Sequence, residues 1–240
     1  MPTQEENSRV FKQLNKVKEY ADANKMKINY KKTKLMLFNP CNSIDFLQKF
    51  ELENNHIELV EQSKLLGLII TSDLSWNSNT EYMVRRCNNK MWMIKRLKKL
   101  GASQDDLLDV YCKQIRSILE FAVPVWNASI TGENVSQIER IQKTFLHITL
   151  GNRYQSYKSA IKLTGLQKLS DRRRKLCLTF AKKAQKHKKF TRWFKPNTKK
   201  TITRLTQPKF CNVYSRLDRY ERSPLSHLTE ILNQYHSKKK

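Results

Sequence analysis

Residues 19–34 read EYADANKMKINYKKTK, and within them Tyr20-Ala21-Asp22-Ala23 falls one carboxylate short of a Tyr-x-Asp-Asp loop. In the full motif, adjacent aspartates on a tight hairpin between apolar strands join a third carboxylate from an earlier strand. Together they hold two magnesium ions about 3.5–4 Å apart for an in-line displacement. Here the second aspartate is Ala23, and only 19 residues precede Tyr20. The flanks also have the wrong period. Val10, Leu14, Val17 and Ala21 recur at spacings of four, three and four with polar residues between them, which predicts one face of an amphipathic helix ending near Asp22. A four-residue match without its hairpin is a coincidence.

The other residue types that carry chemistry are scattered. His56, His147, His187, His227 and His236 have no serine, cysteine or carboxylate at a spacing that argues a triad. Cys41, Cys87, Cys112, Cys177 and Cys211 are odd in number and contain no Cys-x-x-Cys pair, so free thiols in a reducing, intracellular setting are expected. No metal ligand set is expected either. Trp76, Trp92 and Trp126 sit among apolar neighbours and are expected in the core. Trp193 is different. The run Thr191-Arg192-Trp193-Phe194-Lys195 interleaves rings with cations, among the basic clusters Arg172-Arg173-Arg174-Lys175, Lys182-Lys183, Lys188-Lys189 and Lys199-Lys200. Base stacking combined with phosphate contacts is the chemistry this pattern suits.

The charge balance points the same way. The net formal charge is +26, with 47 Lys+Arg against 21 Asp+Glu, and it rises along the chain. Residues 1–76 hold 11 basic against 10 acidic residues, 77–166 hold 14 against 7, and 167–240 hold 22 against 4. A segment that basic repels itself unless a polyanion is near, and phosphate backbones are the commonest such partner. An acidic membrane surface is the rival partner. A membrane span is not expected, because apolar runs such as residues 65–70 are far shorter than the roughly 20 residues a bilayer needs. MPTQEENSRV has no charged-then-apolar leader pattern, so nothing suggests secretion.

The pattern of elements predicts an α+β chain, mostly α. Residues 34–38, 56–61 and 65–71 read as strands of a small antiparallel sheet backed by the first helix, with Gly67 marking a bulge. Leu66 and Ile69 are expected to face that helix. A helix from Asn77 should stop at Gly101, with Met83, Cys87, Ile94 and Leu97 on one side and Lys95, Lys98 and Lys99 in its last turn. Ser103 with Asp106 resembles a capping box ahead of Leu107, Leu108, Tyr111, Ile115, Ile118 and Leu119. Pro124 predicts an extended stretch over residues 123–126. A helix from about 135 to 150 carries Ile138, Ile141, Phe145 and Ile148, with Gly151 as its stop. Another from about 170 to 187 turns Leu176, Phe180 and Ala184 inward and much of its base outward.

Taken in order, these stretches resemble the C-terminal part of a non-LTR retrotransposon reverse transcriptase of the jockey-like kind. The block NKMKINYKKTKLMLF at 24–38 is similar to the helix-to-strand motif that follows that family's catalytic loop. KLLGLII at 64–70 with Leu74-Ser75-Trp76 is similar to its primer grip. The likeness continues through LLDVY at 107–111, IRSILEFAVPVW at 115–126 and IERIQK at 138–143, which look like the thumb and the region after it. YSRLDRY at 214–220 with Ser223-Pro224-Leu225 resembles the basic terminus of such frames.

The resemblance implies three regions: a palm remnant at 1–76, a helical thumb-like domain at 77–166, and a basic nucleic-acid-binding segment at 167–240. It also implies binding of RNA, DNA or their hybrid. The matching stretches include neither fingers nor either catalytic-carboxylate motif. The chain alone is therefore expected to lack polymerase activity and to carry no cofactor, magnesium being implied only for a full-length polymerase. On the family's pattern Lys32 would sit near the triphosphate. Lys34, Leu65, Leu66, Gly67, Arg172, Arg173, Arg174, Lys175, Lys182, Lys183, Arg192 and Trp193 complete the expected nucleic-acid contacts. A second reading stays open at this level: a non-enzymatic interaction module, or an unselected frame, whose base is incidental.

Overall fold

The computed structural model describes residues 4–38, 50–52, 55–198, 208–211 and 218–237. It divides into two compact units, Met1–Ser75 and Trp76–Lys240. The fold class is α+β, mostly α; among the described residues the strands lie in the first unit, and the second unit has one isolated antiparallel bridge, Pro196 with Phe210.

In that unit α1, Gln4–Ala23, ends in a left-handed turn. The Met26 N–H bonds the Ala21 carbonyl at 2.8 Å, the Lys25 N–H bonds that of Asp22 at 3.0 Å, and Lys25 itself has φ 54°. This crossed pair of bonds is how a helix satisfies its last carbonyls. Asp22 thus lies in a helical last turn, where no carboxylate hairpin can form.

The strands are shorter than the sequence suggests, and they do not form one antiparallel sheet. β1 (Lys34–Leu35) runs parallel to β3 (Asn55–Leu59), and β2 (Phe50–Leu52) runs antiparallel to β3 on its other side. Ile57 is the buried centre, packed by Leu14 of α1 and by Tyr30 and Leu35. Val17 is exposed, so only part of the helical stripe is used.

The run 65–71 is two strands. β4 (Gln62–Leu65) pairs with β5 (Leu68–Thr71) through a two-residue turn at Leu66 and Gly67, where φ is 48° and 91°. Two positive φ values define the hairpin turn whose twist matches its strands. Gly67 therefore marks a turn, which corrects the bulge. Leu66 is 87% exposed, which corrects its expected place against the first helix. Alternation fails here because the turn consumes two residues. A branched side chain at left-handed φ is strained, whereas Asn before Gly suits this turn. Leu66→Asn should therefore raise the stability of the first unit by about 1 kcal/mol, read by urea unfolding.

In the second unit α2 (Asn77–Lys99) buries Thr80, Met83, Cys87, Met91 and Ile94 and lies against α6 (Gly132–Leu150). Burial pushes the Cys87 thiol up to about 12, so it is inert as a nucleophile. Cys87, Cys112, Cys177 and Cys211 are free thiols, and Cys41 lies outside the described residues. The Ser103–Asp106 capping box is formed in both directions at the start of α3, Gln104–Val110. The chain then widens into one π-helical stretch, Tyr111–Arg116, and returns to α4, Ser117–Leu119. Tyr111 stacks on Phe145 of α6, with ring centres 4.0 Å apart and planes 13° apart.

Residues 123–126 are not extended. They form the short helix α5, Val123–Trp126, with Pro124 in its first turn, where the missing N–H would have had no helical partner in any case. Ala122, at φ 50°, makes the preceding reversal. The Trp126 ring is fully buried, and its Nε1–H donates to the Phe121 carbonyl at 2.8 Å. α7 (Tyr157–Thr164) and α8 (Leu169–Lys186) follow, then α9 (Asp218–Glu221) and α10 (Pro224–Ser237). α8, which opens the basic stretch, shares this core, since it lies against α5, α6 and α10.

α8 is rotated relative to its expected orientation. Its buried positions are Leu169, Arg173, Cys177, Ala181 and Ala184, while Leu176 is half-buried and Phe180 exposed. The apolar stripe Leu176-Phe180-Ala184 misplaces the face by about one residue, because it assumes that no arginine can be interior.

Candidate nucleic-acid interface

Rotating α8 determines what its cations can reach. Arg172 forks onto Glu120, with Nε close to Oε1 and Nη2 donating to Oε2 at 2.9 Å; this bonding holds its pKa above the ordinary value. Arg173 is 2% exposed. Its Nε donates to Asn127 Oδ1 at 3.0 Å, and its Nη1 stands 3.9 Å from Glu139 Oε1, beyond hydrogen-bond reach. Burial lowers its pKa, with Glu139 opposing.

Glu139 in turn accepts from the Tyr157 hydroxyl at 2.6 Å and from the Ser170 N–H at 2.7 Å. Gln142 joins the same network, accepting from the Tyr111 hydroxyl at 2.9 Å and donating to Tyr157 and to the Gln167 carbonyl. Arg172 and Arg173 therefore hold the helices together. Arg173 is corrected as a phosphate contact, since a buried guanidinium cannot also face a backbone in solvent; Arg172 is half-buried, with its Nε and Nη2 taken up by Glu120.

The cations on the outer side of α8 are placed differently. Arg174 and Lys175 are exposed and line a groove of about 250 Å³ between α8 and α10, with Leu178, Gln234 and Tyr235. Arg174 donates to Gln234, and Lys182 Nζ sits 3.4 Å above the centre of the Tyr235 ring. Lys183 and Lys186 are exposed on the last two turns.

Beyond α8 the chain folds into a ring-bearing turn. The Phe190 ring lies 5.1 Å from His187 and 4.6 Å from Trp193, and the 3₁₀ turn Thr191–Trp193 is pinned by Thr191 Oγ1 donating to the His187 carbonyl at 3.0 Å. Phe194 points inward against Phe210, whose N–H and C=O are both held by the Asn233 side chain of α10, at 2.9 and 3.0 Å. With that anchor in place, Lys188, Lys189, Phe190, Arg192 and Trp193 line an open cleft of about 390 Å³. Trp193 keeps 36% of its surface in solvent. Three cations around two rings, with no acid among them, can hold phosphates while a base stacks.

In the first unit, Lys32 is exposed in the turn Tyr30–Lys32, whose cap is the Asn29 side chain accepting from the Lys32 N–H. Lys34 pairs with Glu58 across β1 and β3. Leu65 and Leu66 are exposed at the hairpin tip, and Gly67 is half-buried there. The structure thus brings Arg174, Lys175, Lys182, Lys183, Arg192 and Trp193 onto one unit, and Lys32, Lys34 and the hairpin onto the other. Lys186 and Phe190 were missed as members of the surface. Phe190 three residues before Trp193 is the spacing that pairs rings across one helical turn. Trp92 is also a correction: it is 62% exposed on α2, not core. Among the described residues no helix is long and apolar enough to cross a membrane, and no cluster of three or more His, Cys, Asp or Glu could hold a metal. No protein-family model, curated protein or solved structure matches the chain.

Proposed function

We propose that this chain binds nucleic acid through the solvent side of α8 and the turn after it, as a non-catalytic C-terminal part of a non-LTR reverse transcriptase. The observation that carries the reading is the cleft in which Lys188, Lys189 and Arg192 surround Phe190 and Trp193. Cations alone would suit any polyanion, including a lipid surface. The exposed Trp193 ring, backed by the half-buried Phe190, selects a polyanion that also offers flat bases. The ordered resemblance to the palm end, primer grip and thumb supports the same partner. Phosphate contacts carry no base code, so little sequence preference is expected.

The test is fluorescence anisotropy with a labelled single strand of RNA or DNA at low salt. Trp193→Ala should weaken binding by about 1–3 kcal/mol while the salt dependence stays the same, since stacking releases no counterions. The triple change Lys188→Gln, Lys189→Gln, Arg192→Gln should weaken binding and flatten the salt dependence together. If both variants bind like the parent, or vesicles of anionic lipid compete as well as RNA, the reading fails.

A further inference from the structure

The solvent face of α2 carries a pattern that neither the fold nor the α8 cleft uses. Tyr82, Arg85, Asn89, Trp92, Arg96 and Lys99 recur at steps of three and four, opposite the buried Met83, Cys87 and Ile94. Arg85, Arg86, Lys95, Arg96 and Lys99 are exposed along it, and Glu81 is the only acidic residue of the helix. The Trp92 ring stands mostly in water with the Arg96 guanidinium 5.4 Å from its centre; about three turns earlier on α2, Arg86 sits 5.5 Å from the Tyr82 ring.

A core tryptophan shields its indole from water; Trp92 leaves most of its indole exposed. We propose that this face is a second track for a single-stranded nucleic acid, with Trp92 stacking on a base and Arg85, Arg96 and Lys99 meeting the phosphates on either side. The inference rests on the nucleic-acid reading above and adds a contact that the α8 cleft does not provide.

Charge and shape choose the occupant. From Arg85 to Lys99 the helix runs about 21 Å, enough for several phosphates in succession. An acidic peptide would satisfy the cations, yet it offers no flat π surface to an indole already bracketed by a guanidinium. A duplex keeps its bases stacked inside, so Trp92 has nothing to stack on. The track is therefore specific for unpaired strands, whereas the cations of α8 accept either form.

The experiment uses the full chain carrying Trp193→Phe, in which Trp92 is the one tryptophan left exposed, Trp76 and Trp126 being buried. Titration with a 15-residue oligodeoxythymidine should quench the exposed tryptophan emission. Adding Trp92→Ala should abolish that quench and weaken single-strand binding roughly 5- to 150-fold, with duplex binding changed less than about twofold and the thermal melt unmoved. Trp92→Phe should retain most of the affinity. If Trp92→Ala keeps the parental single-strand affinity while salt-sensitive binding persists, the α2 track is wrong and the α8 reading stands. If the unmodified chain binds no oligonucleotide, both fall. Competition by polyglutamate as effective as by the oligonucleotide would also overturn the track and assign the face to an acidic protein partner.

Discussion

Raising the salt from about 50 to 200 mM should cost the chain on the order of a thousandfold in affinity for nucleic acid. The solvent side of α8 and the following turn present Arg174, Lys175, Lys182, Lys183, Lys186, Lys188, Lys189, Arg192 and Lys195. Six or more of these engaged at once release enough counterions for that loss. The structure sharpens the expectation within the cluster at 172–175. Read as sequence, four cations there should each steepen the log–log salt slope by nearly one unit. With Arg172 forked onto Glu120 and Arg173 interior, only Arg174 and Lys175 remain available. Arg174→Gln with Lys175→Gln should flatten the slope by about two units, and Arg172→Gln should leave it unchanged. A slope that falls equally with Arg172→Gln would return that guanidinium to the phosphate and refute the pairing.

Glu139→Ala should destabilise the second unit by about 3–5 kcal/mol, because it leaves the Arg173 guanidinium buried without its counter-charge. Three groups lose their acceptor or counter-charge at once: the Tyr157 hydroxyl, the Ser170 N–H at the start of α8, and Arg173 itself. An unpaired buried charge costs more than a missing pair. Adding Arg173→Met, which replaces the cation with a shorter, unbranched apolar side chain, should therefore recover a good part of the loss. Urea unfolding of the two variants checks both halves. A Glu139→Ala midpoint indistinguishable from the parent would mean that water reaches this site and carries the charge. A double variant no more stable than the single would place the cost in Tyr157 and Ser170 instead.

Local chemistry made some of this legible without coordinates. Ser103 and Asp106 mark their helix start because a capping box lies within four residues, and α2 stops beside Gly101 for an equally local reason. Tyr20 to Ala23 could be dismissed as a hairpin because helix periodicity is written along the chain. Charge is also local, so the basic stretch was visible as a bulk property. The turn at Leu66 and Gly67 is not legible in the sequence, because a two-residue reversal inside an apolar run leaves no polar punctuation.

The sequence by itself thus determined an α+β chain, mostly α, with a steep rise in positive charge toward its end and rings set among the cations near Trp193. Only the tertiary structure decided which of those cations face water. Arg173 and Arg174 are neighbours of the same type, yet one is interior and the other exposed. The difference is a rotation of α8 fixed by Glu139 on α6 and Asn127 just after α5, residues 34 and 46 positions away in the chain. The same holds for Trp92 and Trp126, where apolar neighbours in sequence say nothing about which side of a helix meets a partner. A side chain's burial depends on what packs against it, and those partners come from elsewhere in the chain.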